Sequence, residues 1–494
     1  MKISKQDLKL ILSLLAIFLA VELISLSGYF WPGVNQAAFF ILALFALALS
    51  IYKLEYGLIL VLTELVIGSK GYLFYFSLAS GQLISIRIVI WSLFMLVFLS
   101  KFIVQLLKQK KESDYLKNIL QFKFLKPYLF LGATCLLGLI SALIYQNEKL
   151  NIFLDVNGWL YFLLLLPFIA KKLDFGKILK FLLAATIWIS LKTLILLFIF
   201  SYNFSLAVPV YAWLRKTLVG EMTLLGAWNR VFIQSQIYSV IAYFYFLFLA
   251  IDYNKFTDLF KPEKLINLFL LALFFSTIVI SFSRSFWVGI LITGTLILVY
   301  LIFKKRPYNF KIISKVVTVV ISSIILGMIL IFVSIPPGAS KQLERQLAHR
   351  VQSQDEAALV SRWALLPKII EEIKRNPITG QGYGATVTYV SADPKILAKN
   401  PSGIYTTYAF EWGYLDIWLK IGLLGLVAYL YLLLVLIKEG IKLTNRKKVY
   451  LYLGLSAGLV FLTATHIFTP YLNHPLGIGF ILFCSCLISQ DRVY

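Results

Sequence analysis

Apolar runs long enough to cross a bilayer recur along nearly the whole chain, at about 10–29, 37–52, 84–107, 127–146, 153–170, 181–201, 231–251, 265–282, 316–334 and 413–437. A hydrocarbon core of about 30 Å takes about 20 apolar residues as helix, and lipid offers no hydrogen-bond partner to an open backbone. Further runs at 57–68, 286–303, 450–468 and 475–489 bring the total to about fourteen. The expected fold is therefore an all-α polytopic membrane protein of about 12–14 transmembrane helices. One long interval, 335–411, is too polar to lie in lipid and forms a partly helical loop domain on the outer face. This divides the chain into an N-terminal bundle, 1–334, with an outer loop at 202–230; the loop domain, 335–411; and C-terminal helices, 412–494.

Composition agrees, since only 14% of residues are charged, against about a quarter in soluble domains. The net charge of +24, from 47 Lys+Arg against 23 Asp+Glu, would suggest nucleic acid in a soluble protein. Here most lysines lie in short loops such as 108–126, 171–180, 252–264 and 438–448, all on one face when the runs alternate. The positive-inside rule accounts for that placement and removes nucleic acid as a partner. It also sets both termini in the cytoplasm and the 335–411 interval in the periplasm or outside the cell. The first run exceeds a signal-peptide core of about 7–15 residues and many spans follow it, so it is read as a span. The three cysteines, Cys135, Cys484 and Cys486, sit inside apolar runs. They give no disulfide framework and, with no histidine at ligand spacing, no metal site.

The interval carries the chemistry-bearing residues. Ser340–Arg350 reads as a capped helix with Arg345 and Arg350 on a basic side. A second helix begins near Ser361 and runs to Arg375, with Trp363, Leu366 and Ile370 as its apolar stripe and Pro367 kinking it or delaying its start. It stops before Asn376-Pro377. The run Gly380-Gln381-Gly382-Tyr383-Gly384 is either a tight loop leaving that helix or a nest of amides for phosphate. Arginine suits bidentate, always-charged capture of phosphate oxygens. Arg284 stands in a tight turn between two spans and Arg230 opens another beside Trp228 and Asn229, whereas Arg345, Arg350 and Arg375 also fit a solvated face. Glu411 heads a span, where a carboxylate favours the helix dipole. Lys192, Asp416 and Lys420 lie deep in apolar runs, where charges need a paired partner or a polar cavity. His349, His466 and His474 default to ordinary polar roles.

At four places together the chain resembles the O-antigen ligase and polymerase superfamily of bacterial membrane glycan transferases. They are Ser283-Arg284-Ser285-Phe286-Trp287; Ser361-Arg362-Trp363 with Asn376-Pro377-Ile378-Thr379-Gly380-Gln381-Gly382; the long loop itself; and Tyr414-Leu415 followed by Gly422-Leu423-Leu424-Gly425. The resemblance implies an enzyme that takes a glycan from an undecaprenyl diphosphate carrier and passes it to a glycan or lipid acceptor hydroxyl, with no cofactor, nucleotide or metal. It maps essential arginines onto Arg284 and Arg230, and beside these Arg345, Arg350, Arg362 and Tyr414 are our further candidate substrate contacts. The family's ligases usually carry a histidine about eleven residues before the Gly-x-x-Gly pattern. That position is Glu411 here, with Trp412 where an amide residue is common. A carboxylate can still serve as the acceptor's base. The same substitution leaves room for a polysaccharide repeat-unit polymerase, and a lipid-linked oligosaccharide flippase is the non-enzymatic alternative.

Overall fold

The computed structural model describes residues 5–78, 81–107, 114–170, 173–225, 228–251, 261–303, 309–337, 357–443 and 449–490. Arg345, Arg350, His349 and the expected 340–350 helix lie outside them. Within the described residues the protein is an all-α polytopic membrane bundle, with ten helices long and apolar enough to span a bilayer. Two shorter apolar helices, Tyr450–Thr465 and Pro475–Gln490, join them. The helices Leu54–Gly68 and Ile237–Ala250, of 15 and 14 residues, are buried on almost every side. Protein rather than lipid surrounds these two, which is why they can be short.

Charges inside the bundle are matched. Lys192 Nζ stands 2.8 Å from Glu22 Oε2, and Trp188 Nε1 donates to the other carboxylate oxygen at 2.9 Å. Burying one of these ions alone would cost several kcal/mol, so the pair ties the Lys5–Phe30 helix to Phe175–Ser201.

Among the described residues, sheet is confined to three antiparallel hairpins: Tyr75–Ser77 with Leu83–Ser85, Glu221–Leu225 with Trp228–Phe232, and Val387–Val390 with Ile404–Thr407. The third belongs to the loop domain, whose core is Leu365, Ile369, Ile373, Ala385, Val387, Phe410 and Leu419. The loop-domain helix runs unbroken from Ala357 to Arg375, with Pro367 inside it. Its packed stripe is Leu365, Ile369 and Ile373 at strict i, i+4 spacing, not the expected Trp363, Leu366 and Ile370. Trp363 and Ile370 are exposed. The choice is made by the partner surface: the hairpin and Leu419 lie against the face one residue further round the helix.

The loop domain is locked to the bundle through its glycines. The Gly413–Leu443 helix is interrupted at Gly422, whose φ is +73°. There the N–H groups of Leu423 and Leu424 donate to the carbonyls of Pro377 and Ile378, at 2.9 and 3.3 Å. Gly382, also at positive φ, lies so close to the Leu125–Ile144 helix that a Cβ on it would fall 2.1 Å from the backbone nitrogen of Ala142. Gly382→Ala is therefore expected to cost more than the roughly 1–2 kcal/mol of the left-handed conformation alone. A thermal melt of the purified variant in detergent should start several degrees below wild type; an unchanged melt would mean the loop is not seated there.

Candidate functional site

An arginine distant in sequence, Arg230, reaches the turn that introduces Arg284. The Pro262–Ser281 helix ends at Phe282, in a left-handed conformation, and the next helix starts at Arg284. Arg230, on the Trp228–Phe232 strand, donates from Nε to the Ser281 carbonyl at 2.9 Å, with its guanidinium 4.9 Å from the centre of the Phe232 ring. The strand thus presses Arg230 onto the residues that introduce Arg284. Ser283 and Ser285 share a hydrogen bond of 3.0 Å, and Thr469 donates to Ser285 Oγ at 3.0 Å.

A second grouping surrounds Glu411. The exposed carboxylate forms an ion pair with Arg362. Trp412 Nε1 donates to the Arg362 carbonyl at 3.0 Å and its ring packs on Trp363 and Phe468, centroids 5.4 and 5.7 Å away. Phe468 precedes Thr469, so the contacts run from Glu411 to the arginine turn. The Tyr414 hydroxyl is committed to the Thr463 carbonyl at 2.7 Å, and its ring stands perpendicular to His466. Arg375 reaches Glu372 on its own helix at 2.8 Å.

The glycine run does not offer a phosphate nest. Gln381 and Gly382 donate to the carbonyls of Leu419 and Lys420, Tyr383 to Gly138, and Gly384 to Asp155 Oδ2 at 2.6 Å, so these amides are spent on tertiary structure.

Beside the arginine turn opens a polar cavity of about 290 Å³. On its wall Lys420 Nζ lies 2.6 Å from Asp155 Oδ1 and 2.7 Å from Asp416 Oδ1. Asn473 donates to the other oxygen of Asp416. Arg87, another lining residue, is bound by Glu64, Nε to Oε2 at 2.7 Å. His474 also lines the cavity; burial first, then Arg87 and Lys70, pushes its pKa down to about 3. Its Nδ1 accepts from the Leu476 N–H at 3.2 Å. The neutral ring therefore carries its proton on Nε2 and is a donor rather than a base.

The segment 469–475 separates the two regions. Thr469 and Tyr471 touch the arginine side, where Tyr471 packs on Phe286 at 6.2 Å between centroids and donates to the Gln234 carbonyl. Pro470, Asn473 and His474 line the cavity. Sequence reading singled out Lys420 and Asp416 as charges in need of partners, but missed Asp155, Arg87 and Lys70. The available signal was the same in kind: Asp155 and Arg87 are each a charge in or at the edge of an apolar run.

Residues 269–430 match the family model described as O-antigen ligase. That stretch contains the arginine turn, the Ser361–Arg362–Trp363 helix, the glycine loop and the broken helix. That stretch is similar to the O-antigen ligase domain. No curated protein matches the chain. With its ten candidate spans, the protein is a multi-pass membrane protein that carries a region similar to O-antigen ligases, a family of membrane glycan processing. Arg230, the Asp155 wall and the 469–475 segment lie outside the matched ligase region and complete the site from both sides of it.

Proposed function

We propose that this protein is a ligase that moves a glycan from an undecaprenyl diphosphate carrier to an acceptor hydroxyl at the outer face of the cytoplasmic membrane. The observation carrying this reading is the meeting of Arg230 with the Ser281–Arg284 turn, inside a domain matched to O-antigen ligases. A turn that draws in a second arginine suits a diphosphate, whose leaving group gains charge as its bond to the sugar breaks. The acceptor oxygen attacks the anomeric carbon, the bond to the diphosphate oxygen breaks with its electron pair staying on the diphosphate, and the acceptor proton passes to a carboxylate. Glu411 is the proposed base. The contacts from Trp412 through Phe468 and Thr469 to Ser285 support its standing at the same end of the bundle as Arg284.

The test is release of undecaprenyl diphosphate by purified protein in nanodiscs given native lipid-linked glycan and candidate acceptors, without added nucleotide or metal. Acceptor-dependent release supports the ligase, and a ladder of product lengths would instead mark a polymerase. No release with any acceptor, together with movement of the lipid-linked glycan across liposomes, would overturn the reading in favour of a flippase. Within that assay Glu411→Gln should lower kcat by about 10²–10⁴-fold, the usual worth of a general base. Equal turnover at equal membrane level would sink that role.

A further inference from the structure

The cavity beside the arginine turn is built differently from a phosphate site. Its wall carries Asp155 and Asp416, and two of its three lining cations are engaged by carboxylates, Lys420 bridging both aspartates and Arg87 held by Glu64, while Lys70 stands at its exposed edge. A diphosphate placed here would meet two carboxylates in a poorly solvated wall, and like charges at close range raise the cost of binding steeply. What the wall offers is hydrogen-bonding capacity of both signs, with the amide of Asn157 beside the carboxylates and the donor Nε2 of His474. Trp159, Tyr408 and Phe410 give the same space an aromatic lining, with Lys420 Nζ 6.0 and 5.3 Å from the ring centres of Tyr408 and Phe410. The hydroxyl of Tyr161, a further lining residue, is buried and has no hydrogen-bond partner among the described residues. Buried hydroxyls are rarely left so, and a ligand or water in the cavity would satisfy it.

We infer that this cavity is a binding site for one neutral sugar ring, gripped by Asp155, Asp416 and Asn157 through its hydroxyls and stacked against Tyr408 and Trp159. Aromatic faces take the C–H side of a pyranose while carboxylates and amides take its hydroxyl edge, and an uncharged ring leaves the existing ion pairs intact. The inference rests on the ligase reading for which sugar this is, since both the carrier-linked glycan and a glycan acceptor present such rings. The partition at 469–475 would put that ring on one side and the diphosphate on the other.

The test uses the full chain in nanodiscs and two readouts. Saturation-transfer NMR with methyl glycosides of glucose, galactose, N-acetylglucosamine and rhamnose reads sugar binding directly. At least one should bind saturably, and Tyr408→Ala and Asn157→Ala should weaken it tenfold or more. Arg284→Ala should leave it within twofold. Inorganic pyrophosphate, the probe for the arginine turn, should not displace the sugar. In the transfer assay the same two cavity variants should raise KM with kcat little changed, for the carrier-linked glycan if the ring is the donor's and for the acceptor if it is the acceptor's. No binding of any of the four glycosides, binding indifferent to both cavity variants, or displacement by pyrophosphate would overturn the inference. Sugar binding that behaves as expected in a protein without transfer activity would leave this site standing and remove the ligase reading instead.

Discussion

Arg284→Ala is expected to reduce acceptor-dependent release of undecaprenyl diphosphate by about 10²–10³-fold, the scale on which a single oriented charge donor acts on a developing anion. Most of the loss should fall on kcat, because the charge on the diphosphate grows as the sugar leaves and is largest in the transition state. Arg284→Lys should recover little of it. A lysine presents a point charge on a flexible stem, whereas a guanidinium meets two phosphate oxygens at once. The Arg284 side chain is only half-buried and begins its helix, so the variant should fold and melt near wild type. That separates a catalytic loss from a structural one. Arg230→Ala should be a milder version with some loss of stability, because its Nε also caps the Ser281 carbonyl. A rate within threefold of wild type for Arg284→Ala, at equal membrane level, would remove the diphosphate from this turn.

Lys420→Met should be the most damaging single change to the fold. The ammonium is buried between Asp155 and Asp416, and its loss leaves two carboxylates facing each other in a wall with little water. Removing one partner of a buried ion pair costs about 3–5 kcal/mol. The damage should spread, because Asp155 also accepts the Gly384 N–H that seats the glycine loop. A detergent melt should show a large drop in midpoint, and adding Asp155→Asn should recover part of it by removing one of the stranded charges while keeping an acceptor for Gly384. No recovery in the double variant would mean that the lysine is held for packing and not for charge.

These two residues also mark how far the sequence alone reaches. Arg284 was legible because the constraint is local: a charge in a short turn between two apolar runs has few ordinary reasons to be there. The span pattern was legible for the same reason, since lipid imposes one rule on every crossing helix. Lys420 was recognisable as a charge needing a partner, but its partner Asp155 lies 265 positions away and nothing local points to it. The glycine run was read as a tight loop or a phosphate nest, and only the tertiary acceptors Leu419, Lys420, Gly138 and Asp155 decide between them. The loop-helix stripe was misread by one residue, because Trp363 satisfies the apolar spacing equally well until the hairpin chooses a face.

The interruption of the Gly413–Leu443 helix at Gly422 has a bearing on biogenesis. Its freed N–H groups are satisfied by Pro377 and Ile378, which belong to a segment made earlier by the ribosome. Until that segment has docked, this span carries open polar groups into hydrocarbon and is a poor substrate for stable insertion. Correct shape in the part of the chain already made thus becomes a condition for anchoring the part that follows. A chain whose loop domain fails to fold would expose the fault inside the bilayer, where membrane proteases can act on it.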